Sequence, residues 1–394
     1  MKTRNLLLLL IIFFAFILLS CSKSGVVIDG ELKKWHTVTL TFNGPEANEN
    51  AEPNPFLDYR LIATFTHSDI QYSVPGFYAA DGNAAETSAN SGNKWQVRFT
   101  PDHEGTWTYK VSFRQGSNIA ISDAPEEGNP VFFDGIKGNF IVGPTDKSGK
   151  DFRGRGRLRY TGKRYLQFAE TGEYFLKGGA DSPENFLAYK DFDGTYYKGD
   201  SEHRMGEAAP KTLLHRYKNH ISDWKAGDPA WKGGKGKAII GALNYLSSKG
   251  INSVYFLTMN IGGDGKDVWP YTEHDERLRF DCSKLDQWER VFAHMEKLGI
   301  MLHVVTQETE NELLLDGGDT RFERIIYYRE LIARFGHHLA ITWNMGEENG
   351  YKDSTPQAQT PEQQREMIKY MKKHDPYKNY VVIHTQDSSK YRDV

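Results

Sequence analysis

The chain has 394 residues, a length that favours two domains over one. Its formal net charge is −3, with 49 Lys and Arg against 52 Asp and Glu, so no basic surplus exists to neutralise a phosphate backbone, and nucleic acid is not an expected partner. Aromatic residues make up 13% of the chain, which suits both packed β-sheet cores and sugar-stacking surfaces and decides for neither.

The N-terminus has the parts of a secretory leader. Lys2 and Arg4 precede an apolar run over residues 6–19, which is shorter than the roughly 20 residues of a membrane-spanning helix. The following Leu-Leu-Ser-Cys over 18–21 resembles a bacterial lipobox, which implies that Cys21 carries lipid. We therefore predict a signal peptide over 1–20, a lipidated tether over 21–25, and attachment to the cell envelope, periplasmic or at the outer-membrane surface, through that lipid alone. An uncleaved membrane anchor is the alternative.

Residues 26–143 read as a β-sandwich. Alternating apolar and polar residues over 35–42, 59–66, 94–100 and 106–113 predict short antiparallel strands between turns. The stretch resembles the immunoglobulin-like domain of unknown function that precedes barrels in many secreted bacterial polysaccharide hydrolases. The resemblance is carried by Asn-Pro-Phe at 54–56, Val-Pro-Gly-Phe-Tyr at 74–78, and Arg-Phe-Thr-Pro and Gly-Thr-Trp at 98–101 and 105–107. No paired carboxylates occur there, so we expect support or sugar contact and no chemistry.

A linker and hairpin are predicted over 144–170, and an alternation of strands and helices over 171–394. Strands are predicted over 174–180, 251–257, 300–306, 338–343 and 380–384, and helices over 238–250, 283–299, 321–335 and 360–374. Ser283 and Asp286 resemble a capping box at the second helix. A doubly wound sheet also fits, but no Gly-rich phosphate fingerprint follows any strand. The predicted fold class is therefore multidomain: an all-β immunoglobulin-like sandwich, then an α/β (β/α)8-type TIM barrel. We expect the barrel to be incomplete at the C-terminus, because it needs eight strands.

The fourth predicted parallel strand ends in the most informative motif. Trp343 and Asn344 precede Glu347, Glu348 and Asn349. Glycoside hydrolysis needs a carboxyl group that donates a proton to the leaving oxygen, and an Asn beside it can bind a sugar hydroxyl. The motif resembles the fourth strand of apiosidase-like barrels among the clan A retaining glycosidases, which reads Trp, two residues, Gly, one residue, acid. The resemblance implies that Glu348 is the acid/base and that the nucleophile lies beyond residue 394. The extra carboxylate Glu347 leaves the choice between the two open.

Other candidate substrate contacts follow the predicted strands, where a parallel barrel gathers its site. Together with Trp343 and Asn344 they are Asp181, Glu184, Asn185, Asn260, Trp269, Gln307, Glu308 and His384. No metal and no cofactor is predicted. The chain also lacks the HExxH motif of zinc peptidases and the GxSxG motif of α/β-hydrolases.

These observations favour an O-glycosyl hydrolase acting on an extracellular polysaccharide or oligosaccharide, with retention implied by the resemblance. The alternative is a surface lipoprotein that binds glycan without cleaving it, as a truncated or decayed glycosidase. A protein whose sandwich docks partner proteins is a third possibility.

Overall fold

The computed structural model describes residues 25–179, 183–199, 214–263, 265–351 and 357–385. The predicted signal peptide, the lipidation site Cys21 and the predicted substrate contact Asp181 lie outside these ranges. Within the described residues, every helix is too short or too polar to cross a membrane.

Two antiparallel sheets occupy the first part of the chain. One has the strand order β1-β2-β6-β5; the other has the order β4-β3-β7-β8, with β9 also paired to β7. Their bounds are β1 Val26–Asp29, β2 Val38–Asn48, β3 Tyr59–His67, β4 Ile70–Pro75, β5 Phe77–Tyr78, β6 Ser91–Phe99, β7 Gly105–Gln115, β8 Asn129–Pro130 and β9 Lys137–Val142, and a short helix α1 spans Ala84–Thr87.

The alternation predicted from sequence places every second side chain of these strands in one shared core. Leu40 on β2 and Val97 on β6 are fully buried, as is Phe65 on β3. The rings of Phe65 and Phe99 stack with centroids 4.1 Å apart and join the two sheets. Burial of one face of each sheet therefore holds this part together.

A small antiparallel sheet follows, with the order β10-β11-β12 and bounds β10 Leu158–Arg159, β11 Leu166–Phe168 and β12 Tyr174–Phe175. The predicted parallel strand over 174–180 is wrong. Its first two residues pair antiparallel with β11. Beyond them, the backbone N–H of Gly178 donates to Asn252 Oδ1 at 2.7 Å, and the backbone N–H of Asn252 donates to the carbonyl of Gly178 at 2.9 Å, without forming a strand pair. Glycines lack the side chains that stabilise a strand by cross-strand packing.

A parallel sheet and four helices form the last part. The strands β13 Ser253–Leu257, β14 Met301–Val305, β15 Ile341–Asn344 and β16 Tyr380–Val382 are neighbours in chain order. The helices are α2 Lys237–Ser248, α3 Cys282–Leu298, α4 Phe322–Phe335 and α5 Pro361–His374, and 3-10 turns span Ile119–Ile121, Phe152–Gly154, Lys218–Asp223, Thr309–Asn311 and Asp316–Gly318. The predicted helix positions are confirmed to within a few residues.

The N-terminus of α3 differs from the predicted capping box. Asp281 is the N-cap and accepts a hydrogen bond from the backbone N–H of Lys284 at 2.8 Å. Asp286, predicted to close the box, instead pairs with Arg98 on β6 at 3.0 Å. The helix therefore uses its first turn to contact the antiparallel sheets.

The predicted fold class is wrong. Within the described residues, twelve strands lie in three antiparallel sheets, and the parallel sheet has four strands in an open order. A TIM barrel needs eight parallel strands that close on themselves. The alternation of strands and helices predicted a parallel sheet, but it does not determine how many strands the sheet contains or whether it closes.

The two faces of the parallel sheet have different surroundings. Phe256, Val304 and Trp343 are register partners on one face and belong to the core that also contains the helices. Tyr255 and His303, which point the other way, border a cavity. The second face therefore borders a cavity, although Tyr255 and His303 themselves are only 6% and 9% exposed.

Candidate functional site

The carboxyl ends of the four parallel strands meet at one edge. Leu257 pairs with Val305, Val305 with Asn344, and Asn344 with Val382. The segment that follows each strand therefore starts at the same level. Ligands of open parallel sheets bind outside this edge, and the predicted acidic motif lies there.

The acidic turn after β15 is held from both sides. The backbone N–H of Glu347 donates to the carbonyl of Gln307 at 2.9 Å, which follows β14. On the other side the N–H of His384, after β16, donates to the carbonyl of Gly346 at 3.0 Å, and the N–H of Asn349 donates to the carbonyl of His384 at 2.9 Å. The turn therefore bridges its two neighbouring strands and has a fixed position.

Glu348 adopts a backbone conformation that is rare for its type. Its φ is 46°, in the left-handed region, and its side chain is half-buried. This conformation costs roughly 1–2 kcal/mol in a residue with a Cβ atom, and such strain concentrates at functional sites. The adjacent Glu347 is only 9% exposed. Of the two carboxylates, Glu348 is the one that a substrate outside the edge reaches more readily.

A buried polar network supports the turn. Gln359 Oε1 accepts hydrogen bonds from Gln307 Nε2 at 2.7 Å and Asn349 Nδ2 at 3.1 Å. Glu312 accepts from the backbone N–H groups of Gly350 and Gln359 at 2.8 and 2.7 Å, and burial raises the pKa of its carboxyl group. These partners fix the geometry of the acidic turn, as a preorganised site requires.

Asn344 and His384 line the cavity on the second face of the sheet, beside groups that the motif analysis did not select. The cavity there has a volume of about 480 Å³ and includes Lys177, Tyr255 and His303. Lys177 Nζ lies 2.8 Å from His303 Nδ1, and His303 Nε2 faces the side-chain amide of Asn344 at 3.2 Å. Burial, reinforced by the charges of Lys177 and His384, lowers the pKa of His303 to about 3.

The segment over 183–189 lies beside the end of β13. The backbone N–H of Leu257 donates to the carbonyl of Glu184 at 2.8 Å. The Asn185 amide is used within the protein: Nδ2 donates to Asp267 at 2.9 Å, and Oδ1 lies 2.8 Å from His215 Nε2. Asn185 therefore organises this loop, whereas Glu184 is half-buried at the edge.

Two tryptophans predicted as substrate contacts present no ring face to a sugar in this structure. Trp343 is fully buried on the covered face, and its Nε1 donates to Asp375 at 2.9 Å. Trp269 is 2% exposed, with its ring edge-to-face against Tyr196 at 4.9 Å and the ammonium group of Lys284 at 5.5 Å. The direction of the Trp343 ring is set by the pleat of β15, and that of the Trp269 ring by the packing of its loop. The sequence interpretation took neither into account.

The remaining predicted contacts are buried near strand ends. Asn260 is 1% exposed and donates from its backbone to Val268 at 2.8 Å. Glu308 is 5% exposed and begins the 3-10 turn after β14. The structure thus brings Gln307, Glu308, Asn344, Glu347, Glu348 and His384 to one edge, with Glu184, Asn185 and Asn260 beside β13. Lys177 and His303 were not selected, because only the fold brings these two side chains together.

One buried cluster has the residue types of a metal site. Glu289 Oε1 and Oε2 lie 3.2 Å from the Nε2 atoms of His337 and His338 respectively. Arg98 lies 3.4 Å from the same carboxylate. A guanidinium group next to the cluster opposes binding of a further cation, so this arrangement fits a buried ion-pair network better than a metal centre.

Part of the chain matches a known family, and most of it resembles a solved structure. Residues 31–114 match a family described as a domain of unknown function, DUF5060. A solved structure of a candidate glycoside hydrolase from Bacteroides vulgatus is similar with a TM-score of 0.54 and 18% identity, covering 90% of this chain and 55% of that one. The chain thus spans about half the length of that protein. A glycoside hydrolase family 5 protein from the same organism has a TM-score of 0.35 and 12% identity over 61% of this chain and 43% of that one, which carries no argument for a shared fold.

No curated protein matches the sequence. The likeness to the first structure shows the fold and no specific activity. The chain therefore shares the fold of that solved structure over most of its length, and residues 31–114 match DUF5060.

Proposed function

We propose that this chain acts as an O-glycosyl hydrolase on an extracellular polysaccharide or oligosaccharide, with Glu348 as the acid/base. The observation that carries the proposal is the acidic turn after β15: Glu348 is half-buried, has a φ of 46°, and lies in a turn bonded to both neighbouring strand ends. The glycosidase-like fold supports a sugar substrate.

The chemistry assigned to Glu348 is proton transfer at the glycosidic oxygen. As an acid, its carboxyl group donates a proton to the leaving oxygen while a second carboxylate, which the described residues do not identify, bonds to the anomeric carbon. As a base, it then accepts a proton from the water that displaces this carboxylate and releases the sugar. Glu347 remains the alternative for this role, but its burial at 9% exposure suits a supporting group better. Asn344, at the end of the same strand, is proposed to bind a sugar hydroxyl. Retention of configuration belongs to the same proposal, on the resemblance of the motif.

The test is hydrolysis by the chain from Ser22 onward, against plant and algal polysaccharides and aryl glycosides. The wild type is compared with Glu348→Gln and Glu347→Gln, which keep size and remove the ionisable group. We expect activity to fall by roughly 100-fold or more in Glu348→Gln and much less in Glu347→Gln. A folded chain that binds a glycan and hydrolyses no substrate would contradict the proposal and favour a surface glycan-binding protein.

We also propose that the protein is attached to the cell envelope by lipid on Cys21, because a short apolar run and a lipobox-like segment precede that residue. Expression in a Gram-negative host with a radiolabelled fatty acid tests this. Label should enter the wild type and be absent from Cys21→Ser. Equal labelling of both proteins would show that Cys21 is not the lipidated residue.

A further inference from the structure

Three side chains with metal-binding groups meet where the first antiparallel sheets end and the linker begins. Glu31 lies after β1, His36 lies before β2, and Asp146 lies after β9. One ligand atom from each of them lies within 4.8 Å of the other two. The backbone N–H of Lys34 donates to the carbonyl of Gly143 at 2.8 Å and fixes the two segments against each other. The fold itself therefore brings the three groups together.

His36 presents a buried nitrogen to the two carboxylates. Its side chain is 3% exposed, and its Nδ1 lies 2.8 Å from the carbonyl oxygen of Lys34. Because a carbonyl only accepts, Nδ1 carries the proton, and the neutral ring keeps its lone pair on Nε2. Burial lowers the pKa of His36, which favours the neutral ring. Histidine ligands of metals have this arrangement, in which a hydrogen bond from the other nitrogen fixes the tautomer and the direction of the ring.

The Nε2 atom of His36 is buried and has no hydrogen-bond partner among the described residues. It lies 3.8 Å from Glu31 Oε2 and 3.8 Å from Asp146 Oδ1, beyond hydrogen-bonding distance. Zinc bonds to nitrogen and oxygen at roughly 2.0–2.2 Å, so two ligand atoms of a tetrahedral site lie about 3.4 Å apart. Shifts of about 0.4 Å in the two exposed carboxylates therefore bring all three atoms to ligand distance.

The two carboxylates also pair with lysines that a metal ion would replace. Lys33 Nζ lies 2.6 Å from Asp146 and 3.0 Å from Glu31, and Lys147 Nζ lies 2.9 Å from Asp146. The lysine side chains are 30% and 25% exposed, so their ammonium groups can turn into solvent, and such pairs contribute little to stability. In the Glu289 cluster, by contrast, the guanidinium group is buried and both imidazoles already face the carboxylate at 3.2 Å.

Arg153 is a further cation beside this group. Its guanidinium lies 3.5 Å from Glu31 Oε1, the oxygen that does not face His36, and 2.6 Å from Asp151. The carboxylate of Asp151 balances its charge. Arg153 therefore opposes a metal ion at Glu31 Oε2 less than the distance alone suggests.

We propose that His36, Glu31 and Asp146 bind one divalent transition-metal ion such as zinc. The imidazole nitrogen favours zinc over calcium and magnesium, which prefer oxygen ligands. Three protein ligands and one water complete a tetrahedral site. The ion has a structural role, because it ties the linker after β9 to the loop between β1 and β2. The proposal is independent of hydrolysis.

Competition for ZnCl2 between the metal-free chain from Ser22 onward and a chromophoric chelator tests this. We expect one zinc ion per wild-type chain and an affinity at least roughly 100-fold lower in His36→Gln and in Asp146→Asn. The Asp146 side chain is 53% exposed, so Asp146→Asn tests the site even if His36→Gln fails to fold. Lys33→Gln should raise the affinity, because it removes a competing ammonium group, whereas an ion-pair network without a metal predicts no such gain.

The matched control is His220→Gln. His220 Nδ1 lies 2.9 Å from Asp223, a histidine and carboxylate pair that has no third ligand beside it among the described residues. The control should leave zinc affinity unchanged, and circular dichroism should show which variants are folded. No zinc binding by the wild type, an unchanged affinity in folded Asp146→Asn, or no gain in Lys33→Gln would overturn the proposal. Displacement of zinc by an equal concentration of Ca²⁺ would overturn the assigned class of metal.

Discussion

The buried cluster around His338 makes stability depend on pH in a defined direction. His338 is 2% exposed, with its Nε2 3.2 Å from Glu289 and its Nδ1 3.5 Å from Glu296. Burial alone lowers its pKa, but the two carboxylates overcome that effect and raise it from 6.5 to about 9. The folded chain therefore binds this proton more tightly than the unfolded chain does.

The magnitude follows from the difference between these two values. Each pKa unit corresponds to about 1.4 kcal/mol, so His338 contributes about 3 kcal/mol to the free energy of unfolding. Because the folded-state pKa is the higher one, this contribution is fully present below pH 6.5 and is lost as the pH rises through 9. Removing the imidazole should remove this part of the pH dependence.

The assay is urea unfolding, followed by tryptophan fluorescence at pH 6 and pH 9.5, for the wild type and His338→Gln. Between pH 6 and pH 9.5, the free energy of unfolding of the wild type should fall by about 3 kcal/mol more than that of the variant. A control at a half-buried histidine of the antiparallel sheets, His67→Gln, should follow the wild type. Equal losses in the wild type and His338→Gln would refute the reasoning. So would an NMR titration of the wild type that gives His338 a pKa below 7.

Three further predictions concern the acidic turn and its strand. Glu348→Gly should raise the free energy of unfolding by about 1 kcal/mol, because glycine accepts the φ of 46° without strain, and should abolish hydrolysis. Trp343→Phe should lower that free energy by about 1–3 kcal/mol, since buried Asp375 loses its one side-chain donor among the described residues and keeps only backbone donors, and should leave KM unchanged. Gly346→Ala should reduce hydrolysis by roughly tenfold or more, because its Cβ would overlap Asn349 Oδ1 and displace the turn.

Each of these has a control that isolates its cause. Glu348→Ala keeps a Cβ atom and should bring no gain in stability. Trp288→Phe removes the same volume from a buried indole whose Nε1 has no hydrogen-bond partner among the described residues, so its cost should be smaller than that of Trp343→Phe. Gly143→Ala adds a Cβ whose nearest neighbour is the Leu32 carbonyl oxygen at 4.0 Å, and should leave hydrolysis unchanged. A control that behaves like its partner variant would contradict the assigned cause.

Local patterns in the sequence were sufficient to place most helices and strands. The predicted helix over 360–374 is observed as Pro361–His374, with the capping box of Thr360 and Gln363 at its start. The predicted strand over 300–306 is observed as Met301–Val305. In both cases the periodicity and the terminal residues act within one element, so no distant partner is needed to recognise them.

Properties that depend on contacts between residues far apart in the chain could not be predicted from the sequence. The prediction of a TIM barrel failed because the number of paired strands, and whether the sheet closes, depend on which segments meet. In addition, residues 176–179 do not form the expected strand. Trp343 and Trp269 were assigned to a sugar although their surroundings bury them. Lys177 was missed for the same reason, because only the fold brings it to His303.

The most direct test of the central claim compares two leaving groups on the same sugar in Glu348→Gln. A dinitrophenolate leaves without protonation, whereas an alkoxide requires an acid. We predict that kcat/KM for the alkyl glycoside falls by roughly 100-fold or more and that kcat/KM for the dinitrophenyl glycoside falls by less than about tenfold. An equal loss on both substrates, or no loss on the alkyl glycoside, would show that Glu348 is not the catalytic acid.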